Sequence, residues 1–207
     1  MKKTVELFKK ILKQSLMPLS DQTVSEWADS YRMISGEAAA EPGRWRTNRA
    51  PYQKAIMDAF TEPGITRVVA KTASQVGKSD IMNNVIGRFA HLAPAPIMMI
   101  QPTIETSQDY SKSRIAPMIR DTKVLRDIFK DVKSRDAGNT ILSKQFPGGR
   151  LIMAGANSPA GLASKPIKIL LADEVDRFPK SAGTEGDPVS LAAKRMTTFW
   201  DSVMGLF

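Results

Sequence analysis

Lys71-Thr72-Ala73-Ser74-Gln75-Val76-Gly77-Lys78-Ser79 follows the apolar run Arg67-Val68-Val69-Ala70 and precedes a helix-like segment, Asp80 to His91. A strand, a tight polar loop ending Gly-Lys-Ser, and then a helix form an arrangement suited to a phosphate group. The N–H groups at the helix start point at the anion, and the helix dipole favours negative charge there. Lys78 is long enough to reach outer phosphates, and the Ser79 hydroxyl can ligate Mg²⁺. Residues Thr72 to Ser79 are thus candidate nucleotide-binding positions. The match to G-x-x-x-x-G-K-[ST] is incomplete, because Thr72 stands where a first glycine would ease the turn. A second lysine, Lys71, stands just before the loop. Taken alone, the stretch also reads as an ordinary strand-to-helix turn with solvated lysines.

A second apolar strand, Ile167-Lys-Ile-Leu-Leu-Ala172, ends in adjacent carboxylates, Asp173-Glu174, followed by Val175-Asp176. In open α/β sheets, ligands sit beyond the carboxyl ends of the strands. Both acids are therefore expected at the same sheet edge as the loop. Asp173 suits a Mg²⁺ shell together with Ser79. Glu174 suits a base that orients and deprotonates attacking water. An Asp-Glu pair alone only solvates a strand end. Paired with a Gly-Lys-Ser loop, it becomes the second half of an ATP site.

The chain has 207 residues, enough for one α/β domain with a core, or one domain and an appendage. Cysteine is absent, which excludes disulfides and thiolate zinc sites and fits a cytoplasmic setting. A single histidine, His91, disfavours His-based metal or triad chemistry; near the end of its helix it is expected to cap carbonyls. No apolar run is long enough to span a bilayer, and charges interrupt any leader-like h-region at the start. The net charge of +9 suggests a polyanionic partner.

Residues 4–17 place Val5, Phe8, Ile11, Leu12 and Leu16 at helical spacing, a basic amphipathic helix. Thr23 and Glu26 form a capping-box pattern before a helix that carries Trp27, Tyr31 and Ile34. Residues 36–50 read as an extended connector. This divides the chain into a helical appendage, 1–45, and an α/β domain, 46–207. Pro51 opens a further helix containing Tyr52 and Gln53, a candidate adenine-reading pair. Pro96-Ile-Met-Met-Ile100 reads as a buried parallel strand, and Glu105 to Ile119 as a helix. Two runs flanking Pro147-Gly148-Gly149 read as a hairpin or two short edge strands. Gly155 to Ser164 is a small-residue loop of the kind that approaches ligands or moves.

The sequence resembles the large subunit of tailed-phage DNA-packaging terminases, the lambda gpA-like family. The resemblance runs from about Val24 to Trp200. It is carried by Trp45-Arg-Thr, Pro51-Tyr-Gln, the 71–79 loop, Gln101-Pro-Thr103, Asn157-Ser-Pro-Ala-Gly-Leu-Ala-Ser164, Leu171-Ala-Asp-Glu-Val-Asp176 and Gly183-Thr-Glu-Gly-Asp-Pro-Val189. It implies a RecA-like (ASCE) P-loop fold with a mostly parallel sheet. It also implies an ATP- and Mg²⁺-dependent motor that drives double-stranded DNA into a procapsid. The implied partners are a small terminase subunit, the portal and further copies of the chain, with no membrane. It implies phosphate-sensing roles for Lys71 and Lys78, with the division between them open, and an adenine contact for Gln53. The N-terminal appendage, 1–45, and within it the amphipathic helix at 4–17, becomes a candidate small-subunit surface. Family members continue from a segment like 194–200 into another core strand, a coupling motif and a nuclease domain. The expectation is that this chain lacks all three and binds ATP without cutting DNA. A fragment of an Asp-Glu-x-Asp helicase and a non-catalytic nucleotide-binding assembly module are the alternatives.

Overall fold

The computed structural model describes residues 21–37, 41–73, 75–129, 139–163 and 165–207. The amphipathic segment 4–17 and Ser74 lie outside the described residues.

A six-stranded sheet organises the chain, in the order β3-β8-β7-β4-β6-β5. Its strands are β3 (Arg67–Val69), β4 (Pro96–Gln101), β5 (Ser143–Phe146), β6 (Gly149–Gly155), β7 (Ile169–Ala172) and β8 (Val203–Leu206). All neighbouring pairs are parallel except β5 with β6, a hairpin closed by Pro147-Gly148. The continuous apolar runs of β4 and β7 follow from burial on both faces. Ile97 and Met99, with Ile169 and Leu171, face one core cluster; Met98 and Ile100, with Leu170 and Ala172, face the other. This is the period of two expected of a strand.

The loop's helix, α3 (Lys78–Leu92), is buried along its whole middle, from Ile81 to Ala90. The sheet lies on one side of it. On the other lie α1 (Val24–Tyr31) and α2 (Tyr52–Asp58), which share the same hydrophobic cluster through Val24, Trp27, Ala28 and Met57. The described residues before 46 therefore pack directly on the loop's helix through Val24, Trp27 and Ala28. Trp27 presses on Gly87, where a Cβ would come within 2.1 Å of the ring. The Thr23–Glu26 capping box starts α1 as its residues predict. The helix ends at Tyr31, and Ile34 lies instead in β1 (Met33–Ile34), paired with β2 (Gly43–Arg44).

The opposite sheet face is covered by α7 (Pro159–Leu162) and α8 (Pro188–Ala193). Ala156 and Leu162 of the small-residue stretch are fully buried, while Asn157 and Ala160 are exposed. The helix expected over 105–119 divides into α4 (Ile104–Tyr110), a π-helical turn (Ser111–Ile115) and α5 (Ala116–Asp121), followed by α6 (Lys123–Ile128).

Two expectations are corrected. The core strand expected to be missing is present as β8, which pairs β3 on one side and β7 on the other. Its glycine concealed it: Gly205 is required because a Cβ would meet the Phe60 ring at 2.5 Å. His91 does not cap carbonyls. Its Nδ1 accepts a hydrogen bond from Trp27 Nε1 at 3.1 Å, and burial lowers its affinity for a proton.

Candidate functional site

The carboxyl ends of β3, β7 and β4 deliver the loop, the Asp173-Glu174 pair and Gln101 to one edge of the sheet. After β3, the chain makes two left-handed residues, Gln75 (φ 60°) and Gly77 (φ 80°), before α3 begins at Lys78. Gly77 is required twice over. Its φ suits glycine, and a Cβ would come within 2.3 Å of Gln53 Nε2. The first helical hydrogen bond runs from Asp80 N–H to the Gly77 carbonyl. The N–H groups of Lys78 and Ser79 precede it, as an anion-binding helix start requires.

Two adjoining cavities lie at this edge. One, of about 540 Å³, is lined by Lys71, Thr72, Lys78, Glu174 and Arg177 among others. The second, of about 520 Å³, is lined by Ser79, Gln101, Tyr110, Arg114, Asp173 and Glu174 among others. Glu174 thus borders both. The first groups the two lysines, and the second groups the two candidate metal ligands.

Asp173 is 7% exposed and accepts a hydrogen bond from Gln101 Nε2 at 3.0 Å. Burial raises its carboxyl above the usual range; the Gln101 bond opposes that, the neighbouring Glu174 charge adds to it, and Lys78 opposes it. Glu174 adopts a left-handed conformation (φ 54°), uncommon for a residue with a side chain, as the chain turns from β7 into a short 3₁₀ segment. Its Oε2 pairs with Arg177 at 3.0 Å.

Gln53 and Tyr52 both reach the loop. Gln53 Nε2 and the Tyr52 hydroxyl donate to the Val76 carbonyl at 2.8 and 3.1 Å. Gln53 is 3% exposed, and its Oε1 is buried without a partner. Ala73 and Gln75 are exposed on the loop, and the Thr72 hydroxyl is buried without a partner. Ser74 lies outside the described residues.

Two further residues, to which no sequence motif assigns a role, stand at the site. Gln101, at the end of β4, holds Asp173. Tyr110, on α4, shares its hydroxyl proton between the Ser79 carbonyl at 3.1 Å and Asn83 Oδ1 at 3.0 Å. Gln101 had a sequence signal, a polar residue closing an apolar strand. Tyr110 had none, because its partner lies across the fold.

Among the described residues, no helix is long and apolar enough to cross a membrane. The family model described as phage terminase large subunit gpA, ATPase domain, matches residues 39–206. The terminase large subunit of Escherichia phage lambda is 28% identical over 184 residues, covering 88% of this chain and 28% of that protein. The corresponding subunit of Enterobacteria phage P21 is 26% identical over 175 residues, covering 84% of this chain and 27% of its own length. The chain thus spans little more than a quarter of these curated relatives. The large terminase ATPase domain of Thermus phage P74-26 aligns with a TM-score of 0.50 at 14% identity, covering 74% of this chain and 62% of that one, a likeness of fold.

Proposed function

Because the chain belongs to the ATPase-domain family of gpA-type phage terminase large subunits, we propose that it binds ATP with Mg²⁺ and hydrolyses it to drive double-stranded DNA into a procapsid. One observation carries this reading. Glu174 borders both the lysine-lined cavity and the cavity shared by Ser79 and Asp173. A water-activating base needs to stand within reach of the attacking water, beside the groups that would hold the phosphates and the metal.

The residues fit the groups they would hold. The N–H groups of Lys78 and Ser79 and the turn 72–79 would cradle the phosphates. Lys78 and Lys71 would neutralise charge on the outer phosphates. Gln53 and Tyr52 stand against the loop, and the unpartnered Gln53 Oε1 offers an acceptor to an adenine amino group. The Ser79 hydroxyl and the Asp173 carboxylate would hold Mg²⁺, which when bound spreads the charge developing on the terminal phosphate. Glu174 would take the proton of the attacking water as its oxygen bonds to phosphorus and the bond to ADP breaks. The working motor would contain several copies of this chain, the portal and a small terminase subunit, the last docked on the N-terminal region within 1–45. It would operate in the host cytoplasm.

The test is ATP hydrolysis by the purified chain, with and without double-stranded DNA, beside Glu174→Gln. DNA-stimulated turnover that Glu174→Gln abolishes while ATP binding persists supports the motor. A second reading starts from the Glu174–Arg177 ion pair, an exposed contact that occupies one carboxylate oxygen of the base. In it the chain is a nucleotide-binding module without turnover. Tight ATP binding with no hydrolysis in the wild type would select that reading.

A further inference from the structure

The first turn of α3 carries Lys78 and Ser79, and it is fastened from outside the loop. Asp80, the next residue, faces the Arg32 guanidinium at 3.5 Å. Arg32 is the junction of the N-terminal layer. Its backbone N–H caps α1 at the Ala28 carbonyl, its carbonyl accepts from Trp45 N–H, and its guanidinium also donates to the Met33 carbonyl. The side chain is 3% exposed, and its Nε has no acceptor.

A buried arginine with an unmade hydrogen bond is a poor device for stability, since apolar residues of similar volume often do as well. It is a good device for fixing where a carboxylate sits. Here that carboxylate follows the candidate metal ligand Ser79 directly. A few turns along, Trp27 of α1 presses on Gly87 of α3. The N-terminal layer therefore meets the loop's helix by packing at Gly87, by the Trp27–His91 hydrogen bond in the last turn, and by charge at the first turn.

We propose that Arg32, acting through Asp80, is a positioning residue for the Mg²⁺-nucleotide site and couples the N-terminal layer to it. The inference rests on the ATP reading above. It explains why a nearly buried arginine is paired with a partly exposed carboxylate beside the loop.

The test titrates a fluorescent ATP analogue (mant-ATP) into the full chain with Mg²⁺ and with EDTA. Wild type is compared with Arg32→Met/Asp80→Leu, which strands no buried charge, and with Arg32→Lys, which keeps the charge but loses the planar fork. The expected result is a cooperative melt and metal-free affinity close to wild type in both variants. The tightening that Mg²⁺ gives the wild type should fall by about tenfold in the double variant and by a smaller factor in Arg32→Lys. If the double variant does not melt cooperatively, Arg32→Lys decides by the same split. Mg²⁺ tightening equal to wild type in a folded variant overturns the inference and leaves the ATP reading standing. A wild type that binds no nucleotide overturns both.

Discussion

The Gln101 side-chain amide donates to Asp173 Oδ2 at 3.0 Å, tying the end of β4 to the end of β7 beneath the site. The bond partly compensates a carboxylate that the fold holds away from water. Burial still leaves its carboxyl above the usual range. For a raised acid, the contribution to stability is full below its unfolded pKa and is lost as pH rises through the folded value. At neutral pH the ionised group is therefore a cost.

Asp173→Asn removes that cost and keeps an acceptor for Gln101. We expect its metal-free melting temperature to exceed that of wild type. The same variant should lose the gain in nucleotide affinity that Mg²⁺ provides. Calorimetry in EDTA and titration in Mg²⁺ check the two halves. A melting temperature below wild type would count against the burial argument.

Lys71 and Lys78 line the same cavity as Glu174. If both neutralise phosphate, each Lys→Ala variant should weaken ATP binding by about tenfold, 1.4 kcal/mol, and the double variant by far more. Affinity unchanged by Lys71→Ala would assign the role to Lys78 alone.

Two glycines separate loop geometry from packing. Gly77→Ala meets a positive φ and the Gln53 amide, so it should abolish nucleotide binding. Gly87→Ala drives a methyl into the Trp27 ring and should cost about 1–3 kcal/mol by overpacking. Trp27→Ala in the Gly87→Ala background makes room for the methyl. The overpacking part of the loss should then vanish from the double-mutant cycle; full additivity would place the strain elsewhere.

Asp58 links α2 to α1 by accepting from the Ser25 N–H and hydroxyl, both at 2.9 Å, and from Lys54 at 2.7 Å. Burial pushes its carboxyl up, but the bonds from Lys54, Ser25 and Thr23 outweigh that and hold it below the usual range. A depressed acid contributes stability above its unfolded pKa, and that stability is lost as pH falls through the folded value. Between about pH 5 and about pH 3, wild type should lose more stability than Asp58→Asn. Equal slopes in denaturant melts across this range would refute the link.

Much of this architecture is legible in the residues. β4 and β7 declare themselves because a strand buried on both faces must be apolar throughout. The loop and the Asp173-Glu174 turn are legible because phosphate and metal chemistry restrict which side chains fit. What escaped depends on distant neighbours. β8 is short and carries Gly205, whose reason is the Phe60 ring. His91 looks like a cap until Trp27 arrives from α1. Arg32 reads as one more basic residue until the fold buries it against Asp80.

The placement of β8 also has a temporal consequence. Among the described residues, β3 has one sheet partner, and that partner is β8. The pairing Arg67↔Met204 spans most of the chain. Closing so long a loop costs entropy before any contact rewards it, so such pairings form late in folding. β4, β6 and β7 can assemble earlier from nearer segments. The strand that launches the phosphate loop is then docked last, when β8 slides between it and β7. A nascent chain would build the acidic half of the site first and gain the lysine half only on this final closure.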